Sequence, residues 1–438
     1  MIRLAMVGTS GYAGYLMDRL WELPDLCHIV AAATLDKPDN PRVINCVKRG
    51  ICVFPSLEAL LAAVDAKDCA AIVVATGIDS HFSCAAQAMS AGFHVLLEKP
   101  PVPTVQELDA LVKLQRRTGR TSAVHFQYLY TDTNRRLKRL LASGALGAIR
   151  RLRAVAAWPR PVPYFQRSPW TGRLRTADGW VLDGTVGNPL AHLLAHELFF
   201  ATAKPGLAGL ASVQAELYHV NDIESEDTSA LRIITDEGVE VLYCASLATA
   251  TQRDVMLEIE TEKAIVRQGD FADTVVCYRD GRKEVLGEAH PSKTEWDKMV
   301  RRHMLTTILD ALAKGEPQPF DLATCRPYVL GLNAAFESNG PPKPVAAEFK
   351  HTFVSENLQQ VVVENIERDL DLAFSKRLLF SEAGIPWAVA SSQFTCDHYT
   401  HFPADPSLKA LEPRRTATAA SLDTSRAMPH KSSYEHTM

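Results

Sequence analysis

No stretch of about 18 consecutive apolar residues occurs, which argues against a helical membrane span. No CxxC pair is found among the nine cysteines (27, 46, 52, 69, 84, 244, 277, 325 and 396), and their number is odd. A disulfide framework is therefore not expected, and the thiols read as reduced, mostly buried small hydrophobes. Basic excess is missing too: Lys+Arg is 47 against Asp+Glu 51, a formal net charge of −4. A broad phosphate-neutralising face needs such an excess, so nucleic acid is not an expected partner, and neither is a membrane. The opening Met1-Ile2-Arg3-Leu4-Ala5-Met6-Val7-Gly8 has no charged n-region and no long apolar h-region, so a secretory leader is not read and a cytoplasmic location is expected. Internal repeats are absent. What remains is an ordinary globular composition, 47% hydrophobic over 438 residues. That length makes roughly two to three domains.

Over the first 125 residues short apolar runs alternate with helical stretches, the βαβ rhythm of a parallel sheet. Strands are expected at residues 2–7, 28–34, 70–76 and 93–97, with helices at about 13–23 and 80–91. Beyond Gly147 the rhythm changes to consecutive strands with short turns, at about 149–158, 211–220, 229–235, 239–245, 255–260 and 275–278. Turn signals such as Asp236-Glu237-Gly238 and Arg279-Asp280-Gly281 predict a largely antiparallel sheet. Helices are expected at about 189–202, 297–314 and 323–338. A further amphipathic helix is expected over 360–382, with Ile366, Leu370, Leu372 and Phe374 on its apolar face. From about Asp405 onward Ser, Thr, Ala, Pro and Arg dominate and predict a mobile tail.

The first chemical signal is the turn Gly8-Thr9-Ser10-Gly11-Tyr12-Ala13-Gly14 between the first strand and the first helix. A backbone that turns sharply and approaches a pyrophosphate, with helix N–H groups aimed at the anion, favours residues lacking Cβ. The spacing is GxxGxxG, one residue longer than GxGxxG, and packing alone can also explain such a turn. Asp36 closes the second strand, where an acidic side chain accepts hydrogen bonds from the adenosine ribose hydroxyls and repels a 2′-phosphate. That favours NAD, while Lys37 leaves room for NADP; the bland alternative is that Asp36 starts the Asp-Lys-Pro-Asp-Asn-Pro turn. The second signal is Glu98-Lys99-Pro100 at the carboxyl end of a parallel strand, where open α/β sheets bind ligands.

The run from Ala70 through Thr76, His81 and Gly92-Phe93-His94-Val95-Leu96-Leu97-Glu98-Lys99-Pro100 resembles the Gfo/Idh/MocA oxidoreductase family. Val124-His125-Phe126-Gln127-Tyr128, Gly144-Ala145-Leu146-Gly147-Ala148-Ile149 and Asn333-Ala334-Ala335-Phe336-Glu337-Ser338 extend the resemblance over about residues 1–345. It implies an α/β Rossmann domain (1–125) and an α+β substrate domain (126–345) with an open, mainly antiparallel sheet that often supports oligomer contacts. A helical extension (346–404) and the tail (405–438) would follow, and a homo-oligomer is implied. Expected cofactor contacts are Gly8, Ser10, Gly11, Tyr12, Ala13, Gly14, Asp36, Thr76, His81, Glu98, Lys99 and Gln127. The family's Asp-x-Gly-x-His stretch is best matched by Asn188-Pro189-Leu190-Ala191-His192, with Asp183-Gly184 as a competing register. The resemblance gives His192 the general acid/base role, with Lys99 assisting and Asn188 in the place of the aspartate. Residues 188, 192 and 196 share a helical face, so His196 is the alternative histidine. Asn188 also suits a helix N-cap, with Pro189 at the first helical position.

Leu129 stands where the family carries an arginine after Tyr128. Between Trp158 and Trp180, Arg160, Arg167, Arg173 and Arg175 with Tyr164, Phe165 and Trp170 predict a polar, aromatic loop over the substrate pocket, suited to sugars or carboxylates. A metal site is not expected: Glu197 follows His196, so HExxH is not formed, and Cys396, His398 and His401 lack a full ligand set. The function implied is hydride transfer between a nicotinamide and a secondary alcohol of a sugar, polyol or related cyclic small molecule. An NAD-dependent glycosidase and a non-catalytic dinucleotide sensor are the alternatives. A semialdehyde dehydrogenase, which shares a similar glycine turn, needs a nucleophilic cysteine, and none lies between Cys84 and Cys244.

Overall fold

The computed structural model describes residues 1–289, 292–355 and 358–412. The first domain runs β1 (Ile2–Val7), α1 (Gly11–Trp21), β2 (Cys27–Ala33), α2 (Pro41–Lys48), β3 (Cys52–Phe54), α3 (Leu57–Ala63), β4 (Ala71–Val74), α4 (His81–Ser90), β5 (His94–Leu97), α5 (Val105–Thr118) and β6 (Ser122–Val124). Its strands pair in the order β3-β2-β1-β4-β5-β6, all parallel, which is a Rossmann sheet. Continuous apolar strands such as Ala71–Val74, buried at every position, are what helices on both faces require.

After α6 (Asp132–Ala142) come β7 (Ile149–Ala157), α7 (Val162–Phe165), α8 (Ala191–Phe200), β8 (Leu210–His219), β9 (Thr228–Thr235), β10 (Glu240–Ser246), β11 (Arg253–Thr261), β12 (Ala264–Gly269), β13 (Thr274–Tyr278) and β14 (Lys283–Gly287). Then follow α9 (Lys293–Lys314), α10 (Arg326–Asn339), β15 (Lys343–Pro344), β16 (Lys350–Ser355), β17 (Leu358–Val363), α11 (Ile366–Lys376), β18 (Phe394–Thr395) and α12 (Pro406–Lys409). The second sheet has 10 strands in the order β14-β13-β12-β11-β7-β10-β9-β8-β15, with β18 added on β8. It is antiparallel except where β7 meets β10 and β8 meets β15. All ten residues of α8 are buried, and the helix packs on β7, β10 and β11 and on the turn Gln127–Tyr130 that follows β6.

The extension differs from the single helix expected over 360–382. Val361, Val362 and Val363 are β-branched and pair with β16 as a hairpin. Asn365, at φ +58, turns the chain into α11. Leu372 and Phe374 flank the buried Ile366 and Leu370. This extension lies on the sheet face opposite α8: Val363, Ile366, Leu370, Phe380 and Trp387 form a second core with Val155, Tyr218, Leu242 and Cys244. The expected start of a tail at 405 also differs, because Asp405 caps α12 and buries Leu408. Residues 413–438 lie outside the described residues.

Candidate active site

Gly8 turns the chain after β1 at φ +100, and a Cβ there would lie 2.9 Å from the Ala13 Cβ and 3.1 Å from the Ala75 carbonyl oxygen. Only glycine meets both demands. At Gly14 a Cβ would come 2.7 Å from the Thr9 oxygen. The N-cap of α1, Ser10, makes no side-chain cap bond, so the first-turn N–H groups are available to an anion. The Ser10 hydroxyl instead donates to Asp36 Oδ2 at 2.6 Å, as do Thr9 at 2.6 Å and Thr34 at 3.1 Å. These bonds hold the Asp36 carboxyl below its ordinary value, and they leave Oδ1 for a ribose hydroxyl. A cleft of about 570 Å³ opens here, lined by Gly8, Ser10, Asp36, Thr76, Ser80 and Trp170 among others. Ungapped glycines, uncapped helix and ionised Asp36 together fit an adenosine diphosphate.

Lys99 follows β5. Its neighbours fix the strand end from within: Glu98 lies 2.8 Å from His125 Nδ1 and accepts from the Lys99 N–H at 3.2 Å. His81 lies 2.8 Å from the Pro100 oxygen and 3.3 Å from that of Thr76. Glu98 and His81 thus position Lys99 through protein contacts of their own. Lys99 Nζ crosses to the second domain and donates to the Asn188 carbonyl at 2.7 Å and to its Oδ1 at 2.8 Å. Asn188 Nδ2 donates in turn to Asp183 Oδ1 at 2.7 Å, while the Gly172 N–H donates to Asp183 Oδ2 at 2.6 Å. The two competing registers of the sequence therefore meet in one chain, Lys99–Asn188–Asp183. Burial pulls the Lys99 ammonium down to about 8, with Glu98 and Asp183 opposing.

His192 lines the same pocket of about 220 Å³ as Lys99, Tyr12, Gln127 and Tyr128. Its ring sits 4.7 Å from that of Tyr128 and edge-on to Phe126 at 5.9 Å. Burial, then the cations Lys99 and Arg301, hold the imidazole well below its ordinary value. His192 Nδ1 and Gln127 Oε1 are buried without partners, two polar atoms a bound ligand would satisfy. The expected N-cap at Asn188 is not formed: α8 begins at Ala191 after a turn, because Asn188 is committed to Lys99 and Asp183. His196 faces away, 2.9 Å from Asn134 Nδ2, in a separate pocket of about 120 Å³.

Arg301 of α9 is the member that sequence reasoning missed. It pairs with Asp297 at 2.7 Å and donates from Nε to the Tyr12 hydroxyl at 3.3 Å, clasping α9 to the glycine turn. No spacing signal marks it, since it acts across 289 residues of chain. Of the four loop arginines, Arg160 lines the pocket of Lys99 and His192, whereas Arg167 and Arg173 line a second cleft of about 800 Å³ and Arg175 reaches the Glu412 carbonyl. Among the described residues no group of three or more His, Cys, Asp or Glu could hold a metal ion.

Residues 2–126 match the model of the oxidoreductase family with an NAD-binding Rossmann fold, and residues 134–267 match the Gfo/Idh/MocA C-terminal domain. The chain belongs to the Gfo/Idh/MocA family. Its first domain is that family's NAD-binding Rossmann fold. Among curated relatives, the UDP-N-acetylglucosamine 3-dehydrogenase of Acidithiobacillus ferrooxidans is 39% identical over 84 residues, 17% of this chain and 25% of that one. The uncharacterized oxidoreductase YhhX of Escherichia coli is 34% identical over 91 residues, 21% of this chain and 26% of that one. These matches span about a quarter of each relative's length. The WlbA dehydrogenase of Chromobacterium violaceum, solved with NADH and UDP-GlcNAcA, superposes with TM-score 0.63 at 20% identity, covering 76% of this chain and 92% of that one. An Agrobacterium radiobacter oxidoreductase, solved with NAD+, L-tartaric acid and magnesium, superposes with TM-score 0.63 at 18% identity, covering 77% and 95%. At such identities the likeness is one of fold.

Proposed function

We propose that this Gfo/Idh/MocA protein is an NAD-dependent dehydrogenase acting on a secondary alcohol, or its ketone, of a sugar, polyol or related cyclic compound. The observation that carries the reading is the single pocket shared by Lys99 of one domain and His192 of the other, with Asn188 bonded to the lysine at 2.8 Å. When bound, NAD supplies a hydride acceptor at its nicotinamide. Removing the alcohol proton then needs a base with an affinity near neutral pH. Lys99, pulled down to about 8, has it, and Asp183 behind Asn188 offers negative charge to the ammonium that forms. Burial and the cations Lys99 and Arg301 lower His192 below the ordinary imidazole range, which favours its neutral form beside the same hydroxyl. Its neutral imidazole is left to orient the hydroxyl. The relative named as a UDP-N-acetylglucosamine 3-dehydrogenase favours a sugar ring as substrate.

The test is a panel of polyols, sugars and nucleotide sugars with NAD+ and NADP+, followed at the absorbance of the reduced cofactor, with an aryl glycoside added to detect glycoside cleavage. Reduction of NAD+ by at least one alcohol is expected. Release of the aryl alcohol without net reduction favours the glycosidase, and tight NADH binding with no turnover favours the sensor.

A further inference from the structure

The reaction pocket carries more positive charge than a neutral alcohol uses. Lys99, Arg160, Lys293 and Arg301 line it, against Asp270 and Asp297. Arg301 is answered by Asp297, and Lys99 is engaged with Asn188. Among the described residues neither Arg160 nor Lys293 forms an ion pair, although Lys293 acts on the Asp270 carboxyl through space. The Arg160 guanidinium donates from Nη1 to the Pro159 carbonyl at 3.0 Å, and its Nε is buried without a partner. It lies 5.8 Å from the ring of Trp158 and 4.9 Å from that of Tyr164. Lys293 lies 5.8 Å from the same Trp158 ring and 6.0 Å from that of Phe271. The two cations therefore line one pocket, each within 6 Å of the same indole. Of the pocket's two acids Asp297 is paired with Arg301, which leaves Asp270. Burial pushes its carboxyl up to about 7, so part of its charge is already absent at neutral pH.

Resting on the dehydrogenase reading, we propose that the substrate is an anion: its reacting carbinol lies between Lys99 and His192 while a carboxylate or phosphate on the same molecule sits between Arg160 and Lys293. A planar guanidinium fork matches either group, and the lysine adds a point charge. Arg160 is half-buried beside Trp158 while Lys293 is exposed at the mouth, so the guanidinium is expected to carry most of the discrimination.

The experiment compares the NAD+-loaded enzyme on glucuronate and galacturonate against their methyl esters, and on glucose 6-phosphate and galactose 6-phosphate against the free sugars. In parallel, calorimetry measures binding of each compound to the NADH-loaded protein. At least one anion is expected to exceed its neutral counterpart in kcat/KM, or in affinity, by about 100-fold. Arg160→Gln should cut that ratio about 10-fold and Lys293→Gln by less, mostly through KM, whereas Arg160→Lys and Lys293→Arg recover much of it. Preference for the acid or for the phosphate identifies which oxyanion is read. Equal handling of every anion and its neutral counterpart, or a ratio unchanged in both glutamine variants, overturns the proposal. Binding of the anion with no cofactor reduction by any compound would instead reject the dehydrogenase reading and leave the oxyanion site standing.

Discussion

The base role proposed for Lys99 rests on two opposing effects that are unequal. Removing the ammonium from water disfavours charge more than Glu98 and Asp183 restore it, and the net result is a proton affinity near 8. The neutral amine thus gains population as pH rises through 8. Alcohol oxidation should climb about tenfold per pH unit below that point and level off above it, while ketone reduction shows the mirror profile. A pH–rate series on any accepted alcohol checks this. An inflection below 6.5 in place of one near 8 would return the proton to His192. Lys99→Met should lower kcat by about 10²- to 10⁴-fold and abolish the inflection, with NADH binding followed by fluorescence kept within a few-fold. The lysine is legible in the sequence through the family resemblance of Ala70–Pro100, because Glu-Lys-Pro alone reads as a solvated strand end. Asp183 is legible only as a rival to Asn188, since a linear register forces a choice that the folded turn over residues 184–190 removes.

At the scale of elements, the strand–turn–helix unit from β1 to α1 depends on backbone room. Gly8→Ala places a methyl carbon 2.9 Å from Ala13 and 3.1 Å from Ala75 at a φ of +100. A loss of about 2 kcal/mol or more is expected, with a matching drop in thermal midpoint and NADH affinity; an unchanged midpoint would show that the turn can relax. The helix α8 has a different liability. Burial drives His196 down to about 3, from an ordinary 6.5 in the unfolded chain. Below 6.5 the unfolded state binds more protons than the folded one. Stability from this group is therefore present above 6.5 and lost as pH falls toward 3. His196→Asn should flatten the decline in thermal midpoint between pH 6.5 and 4, and a decline as steep as that of the parent protein would assign it to other groups. Periodicity makes β1, β2, β4 and β5 readable, as it does α8 and α10. The pieces between Asp36 and Ala70 escape it: α2, β3 and α3 are eight, three and seven residues long, too short for a period to declare itself.

For the whole molecule, one face of the open second sheet is partly covered by the chain itself. Over β7 to β10 its second face is covered by the chain's own extension, with Trp387 ring centroids 5.0 Å from Tyr218 and 5.1 Å from Phe380. The cover is also pinned by polar bonds. Arg232 grips Glu382 at 2.5 and 2.6 Å, and the Val389 N–H donates to the Tyr218 hydroxyl at 2.8 Å. Farther along, Glu260 of the same sheet pairs with the exposed Arg151 and Arg279 and, at 3.0 Å, with Arg377 of the extension. A homo-oligomer joined through the β7–β10 face would have to displace an apolar core already formed, so any self-association is expected through another surface. Composition could not show this, because residues 346–404 declare an amphipathic segment without declaring which surface it meets. Trp387→Ala should cost about 3–5 kcal/mol. Ending the chain at residue 345 should expose Val155, Tyr218, Leu242 and Cys244 and drive association that light scattering detects. A truncated chain that stays as dispersed as the full-length protein, or a full-length dimer cross-linked through β7–β10, would show that the extension is not the cover for this face.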